Sequence, residues 1–378
     1  MSFTKKDTLV VKGVAIMMMV LHHLFRKPDL FKDFDVSFFP LSQSLAVDIS
    51  SFFKICVSIF VFLSAYGLTY SLKKYSSDTV ISGRQYASYL NTRLIKLMSG
   101  FWFVFIVSQI GCLFFSPERN QAYFNHGIIQ GVFKFVIDFL GLENLFGTTT
   151  LNNTWWYMTL AIFIVLVVPF IARLTKRYNA LFVCLMIIFL PRLLDFTREF
   201  RIGATSNCIR WMFITFLGVL FAQYNVLPRM KAFMITKNKY VSKTLKLIIS
   251  LAILLIMFKV SLNFSNGFRA NTYEIIDGIV PVFVIYFIYE FICDIPGLSQ
   301  ILMFFGKHSM NIFLFHTFIR YYWFEDFTYS FHNWLVIFAV LFGISLGISI
   351  VIEFVKKLIR YDKLTAKTCS FVEKKFSK

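Results

Sequence analysis

Residues 12–25, Lys-Gly-Val-Ala-Ile-Met-Met-Met-Val-Leu-His-His-Leu-Phe, set one ammonium and two adjacent imidazoles in an otherwise apolar run. If the run is helical, Lys12 and His23 differ by only about 20° in azimuth and stand about 16.5 Å apart along the axis. His22 is turned about 80° away from Lys12. Ile16 and Met19 lie between Lys12 and His23 as an apolar track. A neutral imidazole suits removal of a hydroxyl proton near pH 7, and a cation suits the phosphates of an activated donor. Transfer of a group from such a donor to a hydroxyl would use both. His23 is the candidate base and Lys12 a candidate anchor. The plain alternative is that Lys12 snorkels to the headgroups and His23 packs between helices against a backbone carbonyl. This stretch alone leaves both open.

The elements that must hold these residues follow from composition. Of 378 residues 57% are hydrophobic and 19% aromatic, and the mean hydropathy is +0.67. Apolar windows recur from residue 8 to residue 355 without an intervening stretch long enough to fold in water, so the expected fold is an all-α polytopic membrane bundle. Ten windows qualify: 8–25, 46–72, 93–115, 154–172, 179–195, 207–224, 245–263, 274–293, 299–320 and 333–355. Residues 127–142 carry Lys134 and Asp138 in a short apolar segment and read as an amphipathic helix at the interface, with a re-entrant segment as the alternative. One membrane domain, 1–355, and a basic cytoplasmic tail, 356–378, are expected. Lys and Arg concentrate in alternate loops, among them 71–96 and 229–246, which places both termini in the cytoplasm.

These basic loops supply most of the net charge of +19, so a nucleic-acid partner is unnecessary and the bilayer is the expected one. The six cysteines are scattered without C-x-x-C spacing and read as packing thiols. No metal-ligand cluster, glycine-rich phosphate loop or G-x-S-x-G nucleophile motif is present in the sequence. No small-residue cleavage site follows the first window, which is therefore read as a retained span. Ionisable residues inside the membrane remain as the informative signal. Arg93 and Lys96, three residues apart at the start of the third window, fit the inner mouth of the bundle, or merely flank a span. Arg192, Asp195, Arg198, Glu199 and Arg201, with Glu274 and Asp277, form outer polar groups suited to a polyhydroxylated ligand or to a solvated salt-bridged loop. His308 reads as a packing or interfacial residue.

Several stretches, in order, resemble the bacterial membrane-bound acyltransferase family 3, which includes O-antigen, exopolysaccharide and Nod-factor O-acetyltransferases. They are Lys12, ten residues, then His23; IFVFLSAYGLTYSLKK at 59–74; YLNTRLIKL at 89–97; NNTWWYMTLAIFIVLVVP at 152–169; and FFGKHSMNIFLFHTFI at 304–319. The resemblance implies that His316 approaches the reaction cavity, orienting or sharing a proton with His23. It favours Lys12, Arg93 and Lys96 as holders of the donor and Trp156 as a substrate contact. It also departs in places. The family commonly has arginine where Lys12 stands, and an ammonium keeps the charge but not the planar fork. A glutamate that some members carry after the fourth-span tryptophan is absent, and no periplasmic esterase-like domain is expected after the last window.

The resemblance implies a multi-pass O-acyltransferase of the bacterial cytoplasmic membrane. It would move an acetyl or similar group from cytoplasmic acyl-CoA, a co-substrate, to a hydroxyl of a cell-surface polysaccharide or lipid-linked glycan. Neither a metal nor a bound cofactor is required for that chemistry. A transporter or flippase for a lipid-linked glycan is the alternative, but the paired repeats and matching broken helices expected of one are not visible. A non-catalytic sensor would be expected to carry a soluble domain. The topology is testable by labelling single cysteines from outside intact cells. A probe placed near Asn266 should be reached and one near Asn238 missed; the reverse pattern would overturn the orientation.

Overall fold

The computed structural model describes residues 2–81, 83–196, 205–263 and 269–377, and side-chain surroundings outside 190–207, 263–277 and 377. It contains helices and, among the described residues, no strand beyond a single bridge between Ser37 and Asn333. The principal helices are α1 (Lys5–Phe25), α2 (Gln43–Phe52), α3 (Cys56–Leu72), α4 (Gly83–Phe115), α5 (Ile128–Phe139), α6 (Trp156–Arg177) and α7 (Ala180–Phe196). They continue with α8 (Met212–Tyr224), α9 (Lys239–Asn263), α10 (Arg269–Phe287), α11 (Leu298–Thr317), α12 (Trp334–Leu358) and α13 (Tyr361–Ser377). Each of the ten apolar windows falls on a helix or on a pair joined end to end. The protein is an all-α polytopic membrane bundle. Among the described residues six helical segments are long and apolar enough to cross a bilayer, and three shorter apolar helices accompany them.

The bundle is built around α1. A capping box starts it: the Asp7 N–H donates to Thr4 Oγ1 at 3.3 Å and the Thr4 N–H to the Asp7 carboxylate at 2.7 Å. In its most apolar window 61% of residues are buried, against 11% for α9, so α1 is the axis of the bundle and α9 lies at its rim. The closest helix contact is between α1 and α11. A Cβ at Gly13 would overlap the Leu302 carbonyl, and one at Gly306 would overlap the Leu9 carbonyl. Small residues at such crossings let backbones meet where lipid supplies no hydrophobic drive.

The C-terminal end of α1 is tied by three hydrogen bonds. His22 Nδ1–H donates to Ser50 O at 2.8 Å, Ser51 Oγ donates to Arg26 O at 2.7 Å, and Tyr329 donates to Leu24 O at 3.1 Å. These bonds fix both the height and the rotation of the helix where the two histidines stand.

Between α4 and α6 the chain stays at the end of the bundle to which α1 runs. The helix α5 exposes Ile129, Val132, Phe133, Val136 and Leu140, a single stripe that suits an interfacial helix resting on lipid. Its opposite face buries Asp138, which accepts from the Tyr123 hydroxyl, from Thr150 Oγ1 at 3.0 Å and from the Leu151 N–H at 2.8 Å. Burial pushes this carboxyl up to about 6. Nearby Glu143 is also buried, and neither of its carboxylate oxygens has a hydrogen-bond partner. Burial, then the Asp138 charge, push it up to about 8.

At the other end, the basic segment after α12 folds as α13 against the inner part of α4. Tyr361 donates to Ser99 O at 2.9 Å, Cys369 is buried, and Glu373 pairs with Lys74 at 2.9 Å.

Two outcomes follow from this packing. Gly306→Leu should overfill the α1–α11 crossing and cost at least about 1–3 kcal/mol, seen as lost monodispersity in detergent. Gly343→Ala, which meets nothing, should behave as wild type; equal tolerance of both would refute the crossing. Glu143 binds its proton more tightly folded than unfolded, so its contribution is complete below the unfolded value of 4.5 and is lost as pH rises through about 8. Melting temperature should therefore fall between pH 6 and 8, above the Asp138 transition, and Glu143→Gln should flatten that fall. Parallel pH curves for the two proteins would show Glu143 to be ionised in the fold.

Candidate active site

Within the bundle lies a cavity of about 190 Å³ walled by α1, α3, α4, α6 and α11. Lys12 and His23 both line it, with Met19 between them. The shared azimuth expected from the sequence thus becomes a shared wall. Trp156 lines the same cavity beside Thr154 and Tyr157. Its ring stacks on Trp211 at a centroid distance of 6.4 Å. The Lys12 ammonium makes no hydrogen bond or ion pair with any described residue, and neither does the His23 ring. Both are therefore free to meet a ligand.

The two adjacent histidines have separate tasks. His22 is buried and spends Nδ1–H on Ser50 O. His23 is half-buried and faces the cavity. Across from it stands His316, fully buried, with its ring centroid 5.0 Å from that of His23 and tilted by 53°. His316 Nδ1 lies 3.0 Å from Ile312 O and 2.9 Å from Phe313 O. Carbonyls only accept, so Nδ1 carries the proton and Nε2 keeps its lone pair. The Thr317 hydroxyl, 3.2 Å from Nε2, donates to it. His316 is in this way oriented by its own helix, while His23 retains the freedom to exchange a proton with a hydroxyl in the cavity.

Beyond the cavity, past His316, α11 changes helix type. At the end of α11 the chain passes into a π-helical segment, Phe318–Trp323. The Phe318 N–H turns to Phe315 O. Leu314 O then accepts from the Trp155 indole at 3.0 Å and from Asn152 Nδ2 at 3.3 Å. The Asn152 side-chain oxygen in turn accepts from the Thr154 N–H at 3.0 Å and hydroxyl at 2.9 Å. Buried Trp155 and this short loop hold the start of α6, and through it Trp156, against α11. A π-helical turn at a functional site is a recurrent device for re-aiming side chains.

Arg93 and Lys96 lie lower on α4 and outside the cavity wall, to which that stretch contributes Leu97. The Arg93 guanidinium sits 6.0 Å from the Tyr89 ring centroid, and Lys96 is exposed. His308 bonds Ser349 Oγ at 2.8 Å, in a polar group with Asn311, Glu353 and Lys356 between α11 and α12. The side chains of Arg192, Asp195, Arg198, Glu199, Arg201, Glu274 and Asp277 fall outside the described residues.

One residue escaped the sequence reading. Arg320 lies in the π-helical segment, is only 7% exposed, and keeps Nε and Nη1 without hydrogen-bond partners. Its signal was present: an arginine four residues beyond His316 in an apolar span is a functional candidate by default.

The arrangement supplies a cation at one end of an enclosed space and a free imidazole, backed by a second, at the other. That is the apparatus expected for moving a group from a phosphate-bearing donor to a hydroxyl. No curated protein and no solved structure matches the chain. A family model described as an acyltransferase domain, Acyl_transf_3, matches residues 10–354 and so takes in both histidines, Lys12, Trp156 and Arg320. The chain belongs to this acyltransferase family and is a multi-pass membrane acyltransferase.

Proposed function

We propose that this acyltransferase takes an acetyl or similar acyl group from cytoplasmic acyl-CoA and places it on a hydroxyl of a cell-surface polysaccharide or lipid-linked glycan, in a bacterial cytoplasmic membrane. The observation that carries this reading is the pairing of Lys12 and His23 on one cavity wall with His316 against His23. With both termini in the cytoplasm, Lys12 stands at the inner end and His23 in the outer half of the membrane. Lys12 holds a phosphate of CoA, and the thioester reaches along the cavity past Met19, a distance an extended pantetheine arm can bridge. Arg93 and Lys96 add positive charge to the approach at the inner face. Trp156 offers a ring to the acceptor sugar or the acyl group.

In the chemical step His23 takes the proton of the acceptor hydroxyl as its oxygen attacks the thioester carbonyl. The tetrahedral intermediate then collapses, the carbon–sulfur bond breaks, and the proton on His23 passes to the departing CoA thiolate. The new ester leaves on the acceptor and the imidazole is neutral again. His316 keeps His23 oriented through ring contact, its own Nδ1 proton being committed to backbone carbonyls. The acyltransferase family supports this reading over a transporter, and the absence of a metal from the step is a feature of the mechanism proposed.

The test uses purified protein with acetyl-CoA, following CoA release and affinity, alongside mass spectrometry of surface glycans with and without the chain. His23→Ala should lose roughly a hundred- to ten-thousandfold in turnover while CoA affinity stays near wild type. His22→Ala should lose far less turnover if it folds. Lys12→Ala should weaken CoA affinity roughly ten- to hundredfold, and Lys12→Arg should be milder. A dead His22→Ala beside an active His23→Ala would reverse the assignment of the base. Unchanged CoA affinity in Lys12→Ala would remove the anchor, and unaltered glycans would remove the acceptor class.

A further inference from the structure

Arg320 is a charged side chain more than nine-tenths buried, yet two of its guanidinium nitrogens, Nε and Nη1, meet no acceptor. An unpaired donor in a protein interior is costly, and a charged one more so. Such a group persists where something outside the chain completes it.

Its surroundings narrow what that is. The charge of Arg320 is felt at His23, His316 and His22, and a second cation, Arg26, lies within range of His22, His23 and Arg320 itself. No ion pair neutralises Arg320 among the described residues; Glu325, the acid that feels its charge, makes no salt bridge to it. The Tyr329 hydroxyl donates to Leu24 O and its oxygen accepts from Arg320, which still leaves Nε and Nη1 of the guanidinium without a partner. The face of Tyr321, 5.4 Å from the guanidinium carbon, provides only a cation–π contact. The region beside the two imidazoles thus carries positive charge that no ion pair among the described residues neutralises.

Position decides between the two substrates. Arg320 lies one helical turn beyond His316, on the side of the histidine pair away from Lys12. CoA phosphates belong at the Lys12 end, and the thioester carbonyl approaches the base from that side. The molecule on the far side is the one that brings the hydroxyl.

We infer that Arg320 binds an oxyanion carried by the acceptor, a carboxylate or a phosphate, and so holds an anionic glycan with its hydroxyl at His23. The inference rests on the transferase reading above and deepens it by giving the acceptor a charge. A carboxylate would come from an acidic sugar and a phosphate from a sugar phosphate or a lipid-linked precursor; both match a guanidinium that still has donors to give.

The test measures binding of three probes, inorganic phosphate, glucuronate and glucose, to the purified full chain at matched ionic strength. Saturating CoA is present so that the Lys12 end is filled. Wild type should bind phosphate, glucuronate or both, and glucose more weakly. In Arg320→Gln the affinity for the anions should fall about ten- to hundredfold with glucose unaffected. Binding of phosphate alone would assign the phosphate source, and of glucuronate alone the acidic sugar. If Arg320→Gln is not monodisperse, Arg320→Met, which also removes the buried charge, carries the same comparison. No anion binding by wild type, or equal binding by wild type and variant, overturns the inference. Acetyl-CoA turnover by wild type is followed separately. Turnover without anion binding leaves the transferase reading standing and the inference lost; anion binding that depends on Arg320 without turnover does the opposite.

Discussion

The crossing of α1 and α11 is the constraint on which the site depends. Gly13 and Gly306 let the two backbones meet carbonyl to Cα, and no side chain larger than hydrogen fits either position. The helices run in the same direction, and each carries a histidine ten residues past its glycine, His23 on α1 and His316 on α11. Ten residues rise about 15 Å on both helices, so equal spacing in sequence becomes equal height in the bundle. The crossing fixes the distance between helices and the register fixes the pairing of imidazoles. In lipid, where apolar surface alone gives no reason to choose one helix face over another, close glycine packing is what makes that choice.

Polar groups complete the geometry that the glycines begin. His22 is bonded to Ser50 O and so turns α1 until His23 faces the cavity. Their adjacency in sequence is therefore a division of labour: at 100° per residue one imidazole can be buried against a neighbour while the next meets the cavity. On α11 the passage into π-helix leaves Leu314 O to receive Trp155 and Asn152. A carbonyl in this setting cannot turn to water, so bonding it to a neighbouring loop both satisfies it and fastens α6 to α11. The same irregular segment carries Arg320, whose unpaired nitrogens mark the place where the protein's own groups stop.

Much of this was legible in the sequence because lipid imposes a simple rule on helices. All ten apolar windows fall on helices, and the amphipathic segment at 127–142 contains α5 with one apolar face exposed. The common wall of Lys12 and His23 needed only the 3.6-residue repeat. What required two helices at once was not legible. The placement of Arg93 and Lys96 outside the cavity depends on which face of α4 turns toward α1. The docking of the basic tail as α13 depends on Tyr361 and Cys369 finding the inner part of α4. Arg320 could be noticed, but its lack of partners is a fact about every neighbouring element. A carboxyl such as Glu143 reads in sequence as a surface residue, and only the fold over it shows that it is buried.

The cavity joins these features into a directional arrangement. Lys12, on the cavity wall, and Arg320, beyond it, lie toward opposite ends of the α1–α11 pair, and the imidazoles stand between them on the Arg320 side. A ligand that carries an anion at a fixed distance from its reacting atom would be drawn to one end or the other according to that distance. A donor with a long flexible arm between phosphate and thioester would suit the Lys12 end, where Lys12 and His23 stand about 16.5 Å apart along the helix axis. An acceptor whose charge lies close to its hydroxyl suits the Arg320 end, one turn from His316. On the proposed reading charge would attract both substrates, and the unequal distances from base to cation would give each its own side. The order of residues along α1 and α11 would then sort donor from acceptor without any moving part.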